Sequence, residues 1–229
     1  MSVKKLLILA AAGVASLGFT AAFAGGAEAV CPACPAEPAF NPFLYVEGGG
    51  GYAWSPYDKY LHIDGVGDNL TNDHNFWTAD GDVGYQFHPN FAIEFAGYYI
   101  SEGDWKDADF NGNDVGGGNF SSYLLTLGGK VTAPVYKVNG ENKVDIFGKL
   151  SAGYRDLSSD TDEVDLANGD YWTPVFAAGI DYNINQNFYV AAQYIYVPAN
   201  DSTSDLDNRA PEVQMGVATL GYKFSPNFI

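Results

Sequence analysis

GYQFHPNFAIEFAGYY, residues 84–99, decides the fold. Aromatic and aliphatic residues alternate with polar or small ones as far as His88. A Pro89-Asn90 turn follows, and the alternation resumes at Phe91. A period of two on both sides of a tight turn is the pattern of a β-hairpin. A second copy, DYNINQNFYVAAQYIY, occupies residues 181–196, and the turn phrase returns in GYKFSPNF, residues 221–228. Aromatic residues stand at the strand ends, and charged residues share the opposite parity. That combination points to a barrel whose outer surface meets lipid.

The N-terminus sets the compartment. Lys4 and Lys5 precede an apolar run from Leu6 to Phe19, and Ala22-Phe23-Ala24 offers a small-x-small cleavage site. This reads as a secretory signal peptide over residues 1–24. No later stretch is long enough to be an apolar membrane helix, so a membrane-embedded mature chain must cross as strands. Composition agrees: 229 residues carry 27 Gly, 16 Tyr and 15 Phe, only 17% charged residues and 2 Cys. The class is all-β.

Residues 25–42 hold Pro32, Pro35, Pro38 and Pro42 and read as a Pro-rich periplasmic linker. From 43 to 229 the chain reads as one outer-membrane β-barrel. Eight alternating segments are expected near 43–54, 76–88, 91–102, 120–133, 143–156, 171–184, 188–199 and 211–224. Connections at His88-Pro89-Asn90 and at Asn185-Gln186-Asn187 are short, and the one around Asn139-Gly140 is moderate. The other four, near 55–75, 103–119, 157–170 and 200–210, are long and polar. Short turns at one end and long loops at the other describe an antiparallel, eight-stranded transmembrane barrel, with turns and termini in the periplasm and loops outside.

Parity assigns the faces. In the second strand Trp77, Val83, Tyr85 and Phe87 oppose Asp80, Asp82 and Gln86. In the third, Phe91, Ile93, Phe95 and Tyr99 oppose Glu94. In the fourth, Leu125, Leu127 and Val131 oppose Thr126 and Lys130. The apolar set must face outward, because a basic residue on the lipid face near midplane costs about 2–4 kcal/mol. The last strand is ambiguous. Leu220, Tyr222 and Phe224 share a face with Glu212 and Gln214, so either those two sit at the outer rim or a bulge shifts the register.

On the two hairpins and the closing ATLGYKF strand (218–224), the chain resembles the small eight-stranded outer-membrane barrels of the OmpA-like and opacity-protein type. The likeness covers roughly 43–224. It implies lumen ion pairs and a closing aromatic read by the assembly machinery, a role open to Phe224 or Phe228. Ser225 to Ile229 depart from that pattern by following the aromatic strand. No peptidoglycan-binding domain is expected.

Three groups of residues are candidates for chemistry. The first is a lumen charge network of Glu47, Asp82, Glu94, Lys130, Asp145, Lys149 and Asp181. By depth, Glu94 and Lys130 group near the periplasmic end, Glu47, Asp82 and Lys149 lie nearer the middle, and Asp145 and Asp181 sit low. A lumen this narrow is filled by side chains, so buried charges must pair. The network reads as a polar plug or, alternatively, as a gated ion path. The second group is the acidic loops, which with Glu102 and Asp156 at their edges hold 18 of the 28 Asp and Glu residues against Lys59, Lys106 and Arg209. Within them Asp107, Asp109 and Asn111 have the D-x-D-x-N-G spacing of a calcium loop. Gly118 stands where a bidentate Glu belongs, however, and no helices flank the site, so a metal site is not expected there. The third is Cys31 and Cys34, a disulfide candidate in an oxidising compartment without the context of a redox domain.

The three histidines, His62, His74 and His88, form no hydrolase spacing with a nucleophile, so no enzyme and no cofactor are expected. A net charge of −17 excludes nucleic acid as a partner. Outer-membrane lipid, lipopolysaccharide and a host or cell-surface ligand remain as expected partners of a monomer. The expected role is structural and interactive, serving envelope integrity and adhesion through the acidic loops. The alternative is a narrow porin-like channel for small solutes or ions.

Overall fold

The computed structural model describes residues 40–55, 71–72, 75–106, 108–110, 113–115, 118–138, 141–160, 169–199 and 212–224. From Pro42 onward they belong to one compact unit, Pro42–Ile229. Eight strands make its wall: β1 (Phe43–Trp54), β2 (Asn75–His88), β3 (Phe91–Lys106), β4 (Gly118–Val138), β5 (Glu141–Asp160), β6 (Gly169–Asn183), β7 (Phe188–Val197) and β8 (Val213–Lys223). Each is antiparallel to the next, and β8 pairs with β1, so the sheet closes on itself. At the long-loop end Thr71–Asn72 adds to β3, and Ala108–Phe110 pairs with Asn113–Val115. Closure removes the open edges that a flat sheet would expose to lipid.

The register fixes the shape. From Gly51 of β1 the paired row runs through Thr78 and Ile100 to Ser122 of β4. In the other direction it runs through Val217, Gln193, Gly179 and Phe147 to Thr132 of the same strand. The row thus returns to β4 displaced by ten residues. With a rise of about 3.3 Å per residue and strands about 4.8 Å apart, that stagger tilts the strands by about 40° and gives a backbone radius of about 8 Å. Neighbouring strands are offset by about 1.25 residues at equal height.

Outward positions form an apolar wall bounded by aromatic rings. At the long-loop end Trp77, Tyr99 and Tyr123 touch in series, with ring centroids 5.3 and 5.1 Å apart. At the short-turn end Phe188, Tyr222 and Phe224 do the same at 4.9 and 5.0 Å. Trp77 and Phe87 of β2 are ten residues apart. After tilt this is about 25 Å, the height of a barrel's apolar band. The β8 ambiguity resolves in favour of the rim, because pairing of β8 with β1 and β7 runs without a register shift. Glu212 and Gln214 sit at the long-loop rim in a hydrogen-bonded cluster. Trp54 Nε1 (3.0 Å) and the Tyr194 hydroxyl (2.6 Å) donate to Gln214 Oε1, and the Tyr196 hydroxyl donates to Glu212 Oε2 (3.1 Å).

The repeated turn phrase has a common mechanical use. Asn90 accepts a hydrogen bond from the Thr132 amide (2.9 Å) and donates its Nδ2 to the Thr132 carbonyl (2.8 Å). Asn187 does the same with Lys223, at 2.7 and 2.9 Å. In each case the turn asparagine pairs one residue further along the next strand, as a β-residue would. The β4–β5 hairpin differs, for its arms continue to Val138 and Glu141, past the expected ends at 133 and 143. Thr132 directs its backbone groups toward β3. Pro134, two residues on, lacks the N–H that would otherwise be left open on that edge.

The interior departs from a simple polar filling. Charged residues line the short-turn half, whereas the long-loop half is mostly apolar inside, with Thr78, Ser122, Arg155 and Thr173 among its buried polar members. Three inward aromatics fit because each lies across a glycine on the neighbouring strand: Tyr45 over Gly84, Tyr189 over Gly221 and Phe147 over Gly179. A Cβ at any of these glycines would collide with the ring.

Candidate functional site: the lumen

The ionic layer occupies the short-turn half. Lys130 Nζ lies 3.3 Å from Glu47 Oε1 and 3.3 Å from Asp181 Oδ2. Lys149 Nζ lies 3.3 Å from Asp82 Oδ2 and contacts Glu94 Oε1. All six groups are buried. Each lysine therefore serves two carboxylates from different walls, a geometry in which buried ion pairs hold together despite desolvation. Glu47 also accepts from the Tyr189 hydroxyl (2.6 Å) and Thr219 (3.4 Å), and Glu94 from the Tyr45 hydroxyl (2.9 Å). Both ammonium groups face the Phe147 ring, at 4.2 Å for Lys130 and 5.3 Å for Lys149, adding cation–π attraction.

The stagger of the strands regroups what linear depth separates. Glu94 and Lys130 do not pair. Instead they stand level with Glu47, and Lys130 reaches Glu47 while Glu94 meets Lys149. Asp145 lies lower and apart from both lysines. Asn183 donates to its Oδ2 (2.7 Å), and Lys223 donates to Asn183 Oδ1 (2.6 Å) while sitting 4.8 Å from the Tyr189 ring centroid.

Above this layer the lumen is predominantly apolar. Ala53, Phe76, Tyr98, Ile100, Leu124 and Ile195 meet Val175, Val197, Val213, Met215 and Val217 in one buried cluster. Leu124, Ile195 and Met215 have no exposed surface. Arg155 stands over the cluster, its Nε donating to Ser122 Oγ (3.0 Å) and its Nη1 to the Tyr171 hydroxyl (2.8 Å).

Sequence parity missed several members. Tyr45 and Tyr189 carry aromatic rings that composition assigns to lipid, although Tyr45 shares the parity of Glu47. Lys223 was hidden by the ambiguous register of β8. Asp80, on the inward face of β2, and Gln193 of β7 complete the wall. His88 ends β2 at the Pro89-Asn90 turn, where its Nδ1 accepts from the Asn90 amide (3.2 Å). Cys31, Cys34, His62, His74, Asp107, Asn111 and Phe228 lie outside the described residues. Asp109 falls in the short ladder at the loop end.

Residues 9–224 match the sequence profile of the outer membrane protein beta-barrel domain, and the chain belongs to that family. No curated protein matches it. Solved structures similar to this chain include the following three. Ail, the attachment invasion locus protein of Yersinia pestis, in complex with the heparin analogue sucrose octasulfate, is 16% identical, over 81% of this chain and 100% of that one, with a TM-score of 0.48. Neisserial surface protein A is 12% identical, over 82% and 100%, with a TM-score of 0.48. OprG from Pseudomonas aeruginosa is 16% identical, over 80% and 95%, with a TM-score of 0.47.

Proposed function

We propose that this outer-membrane barrel is a closed structural and surface-contact element whose acidic loops make the contacts and whose lumen does not conduct. The observation that carries this reading is the filling of the lumen by two unlike layers, one ionic and one apolar. A channel for ions or small polar solutes would need a continuous wet path. Here such a path would have to break paired lysines and then cross side chains with no exposed surface.

The reading places the short turns and termini in the periplasm and the loops outside the cell. Function then rests on loop chemistry, and that chemistry is anionic: 18 acidic residues against two lysines and one arginine. Cationic peptides and protein surfaces suit it, as do divalent ions that bridge it to lipopolysaccharide. The sulfated ligand of Ail has the wrong sign for these loops. No catalytic role is assigned.

Binding of the refolded protein in lipid nanodiscs to immobilised polylysine and to immobilised heparin tests the reading. Salt-sensitive binding to polylysine only, lost when the loop aspartates are replaced by asparagine, supports it. Binding to heparin, or polylysine binding that survives loop neutralisation, contradicts it.

A further inference from the structure

We propose that the middle of the lumen, at the boundary between the ionic and apolar layers, binds one hard, oxygen-seeking cation through Asp80 and Asp82, with Gln193 on the opposite wall. Four observations meet there. Asp80 and Asp82 occupy successive inward positions of β2. Both Asp80 oxygens and Asp82 Oδ1 are buried without a hydrogen-bond partner among the described residues. Such groups are rarely left unsatisfied in a folded protein. Glu47, Asp82 and Glu94 bring one carboxylate oxygen each within 4.8 Å of one another, and all three residues are buried.

Gln193 is the third observation and is independent of the acids. It is 5% exposed, and neither its Oε1 nor its Nε2 has a partner among the described residues. By the ten-residue stagger it stands at the height of Asp82 and Lys149, facing them across the barrel. A buried inward amide with both ends unused, level with orphaned carboxylate oxygens on another wall, suits a hydrated ion between them.

Charge balance is the fourth. In this half of the lumen six carboxyl groups, Glu47, Asp80, Asp82, Glu94, Asp145 and Asp181, face three ammonium groups, Lys130, Lys149 and Lys223. A closed chamber balances that excess either by protonating carboxyl groups or by holding a counter-ion, and a counter-ion also satisfies the orphaned oxygens. The lysines occupy Asp82 Oδ2, Glu94 Oε1 and Glu47 Oε1, so a bound cation can use the orphaned oxygens without displacing them. An all-oxygen donor set with room for water is the chemistry of a hard cation such as calcium.

Terbium serves as the calcium-sized probe, because its emission is sensitised by nearby tyrosines and Tyr98 pairs directly with Asp80. Loop carboxylates will bind terbium in rapid exchange, whereas the lumen site should appear as one slowly exchanging ion per barrel. In the full-length refolded protein the Asp80→Asn/Asp82→Asn variant should lose that slow component and keep the fast one. Gln193→Glu should tighten it tenfold or more. Heat-modifiable gel mobility verifies that each variant is folded. The proposal is overturned if wild type shows no slow component, if the double variant retains it, or if Gln193→Glu leaves its affinity unchanged. In those cases protons or water satisfy the carboxylates.

Discussion

Replacing Lys149 with methionine removes a charge from the ionic layer while keeping most of the side chain's length. In the parent, Lys149 is the cation for both Asp82 and Glu94. After substitution Glu94 still accepts from the Tyr45 hydroxyl at 2.9 Å. Asp82 retains no partner among the described residues, since its Oδ1 is already orphaned and its Oδ2 is held only by Lys149. Asp82 is 2% exposed, so water cannot take over. Breaking a buried pair from one side costs about 3–5 kcal/mol, and that loss is expected here. A second change, Asp82→Asn, removes the stranded charge and should restore all but about 1–2 kcal/mol. Reversible urea unfolding in phospholipid vesicles, followed by tryptophan fluorescence, gives both values. A cost below about 1 kcal/mol for Lys149→Met, as for an exposed pair, would mean that water reaches these groups, and the sealed lumen would be refuted.

Further outcomes can be read in the same assay. Leu124→Ala empties a fully buried position of the apolar layer and should cost about 2–5 kcal/mol; a cost near zero would indicate a solvated upper lumen. Gly221→Ala sets a methyl against the Tyr189 ring and should cost about 1–3 kcal/mol through overpacking, relieved when Tyr189 is shortened to leucine. Asn187→Ala removes the Nδ2 bond to the Lys223 carbonyl and should cost about 0.5–1.5 kcal/mol, whereas the exposed neighbour Gln186→Ala should change little. Leu127→Arg puts a charge on the outer wall and should cost about 2–4 kcal/mol if that wall meets lipid.

The architecture was legible because two chemical environments act on strands with a two-residue period. Wherever the faces differ in polarity, as at Glu94 against Ile93 and Phe95, parity alone separates lumen from lipid. It loses discrimination in the upper half, where Phe76 and Trp77 or Ile195 and Tyr196 are apolar on both faces, and the inner plug stayed hidden there. Pairings within the lumen were not legible because they depend on shear. Linear depth sets Glu47 apart from Glu94 and Lys130, but a ten-residue stagger brings all three to one height, where Lys130 reaches Glu47 and Glu94 meets Lys149. The turn asparagines stood out as a repeated phrase, yet their use, extending the next strand by one residue, needed the third dimension. The inward use of Tyr45 and Tyr189 was not legible, since the glycines that make room for them lie on neighbouring strands.

The most direct test of a closed barrel is electrical. Purified, refolded protein inserted into a planar lipid bilayer should show no discrete conductance steps at physiological salt, and Lys149→Met or Leu124→Ala should be needed before any appear. Stable, salt-dependent single-channel openings of the unaltered protein would contradict the account and restore the narrow channel.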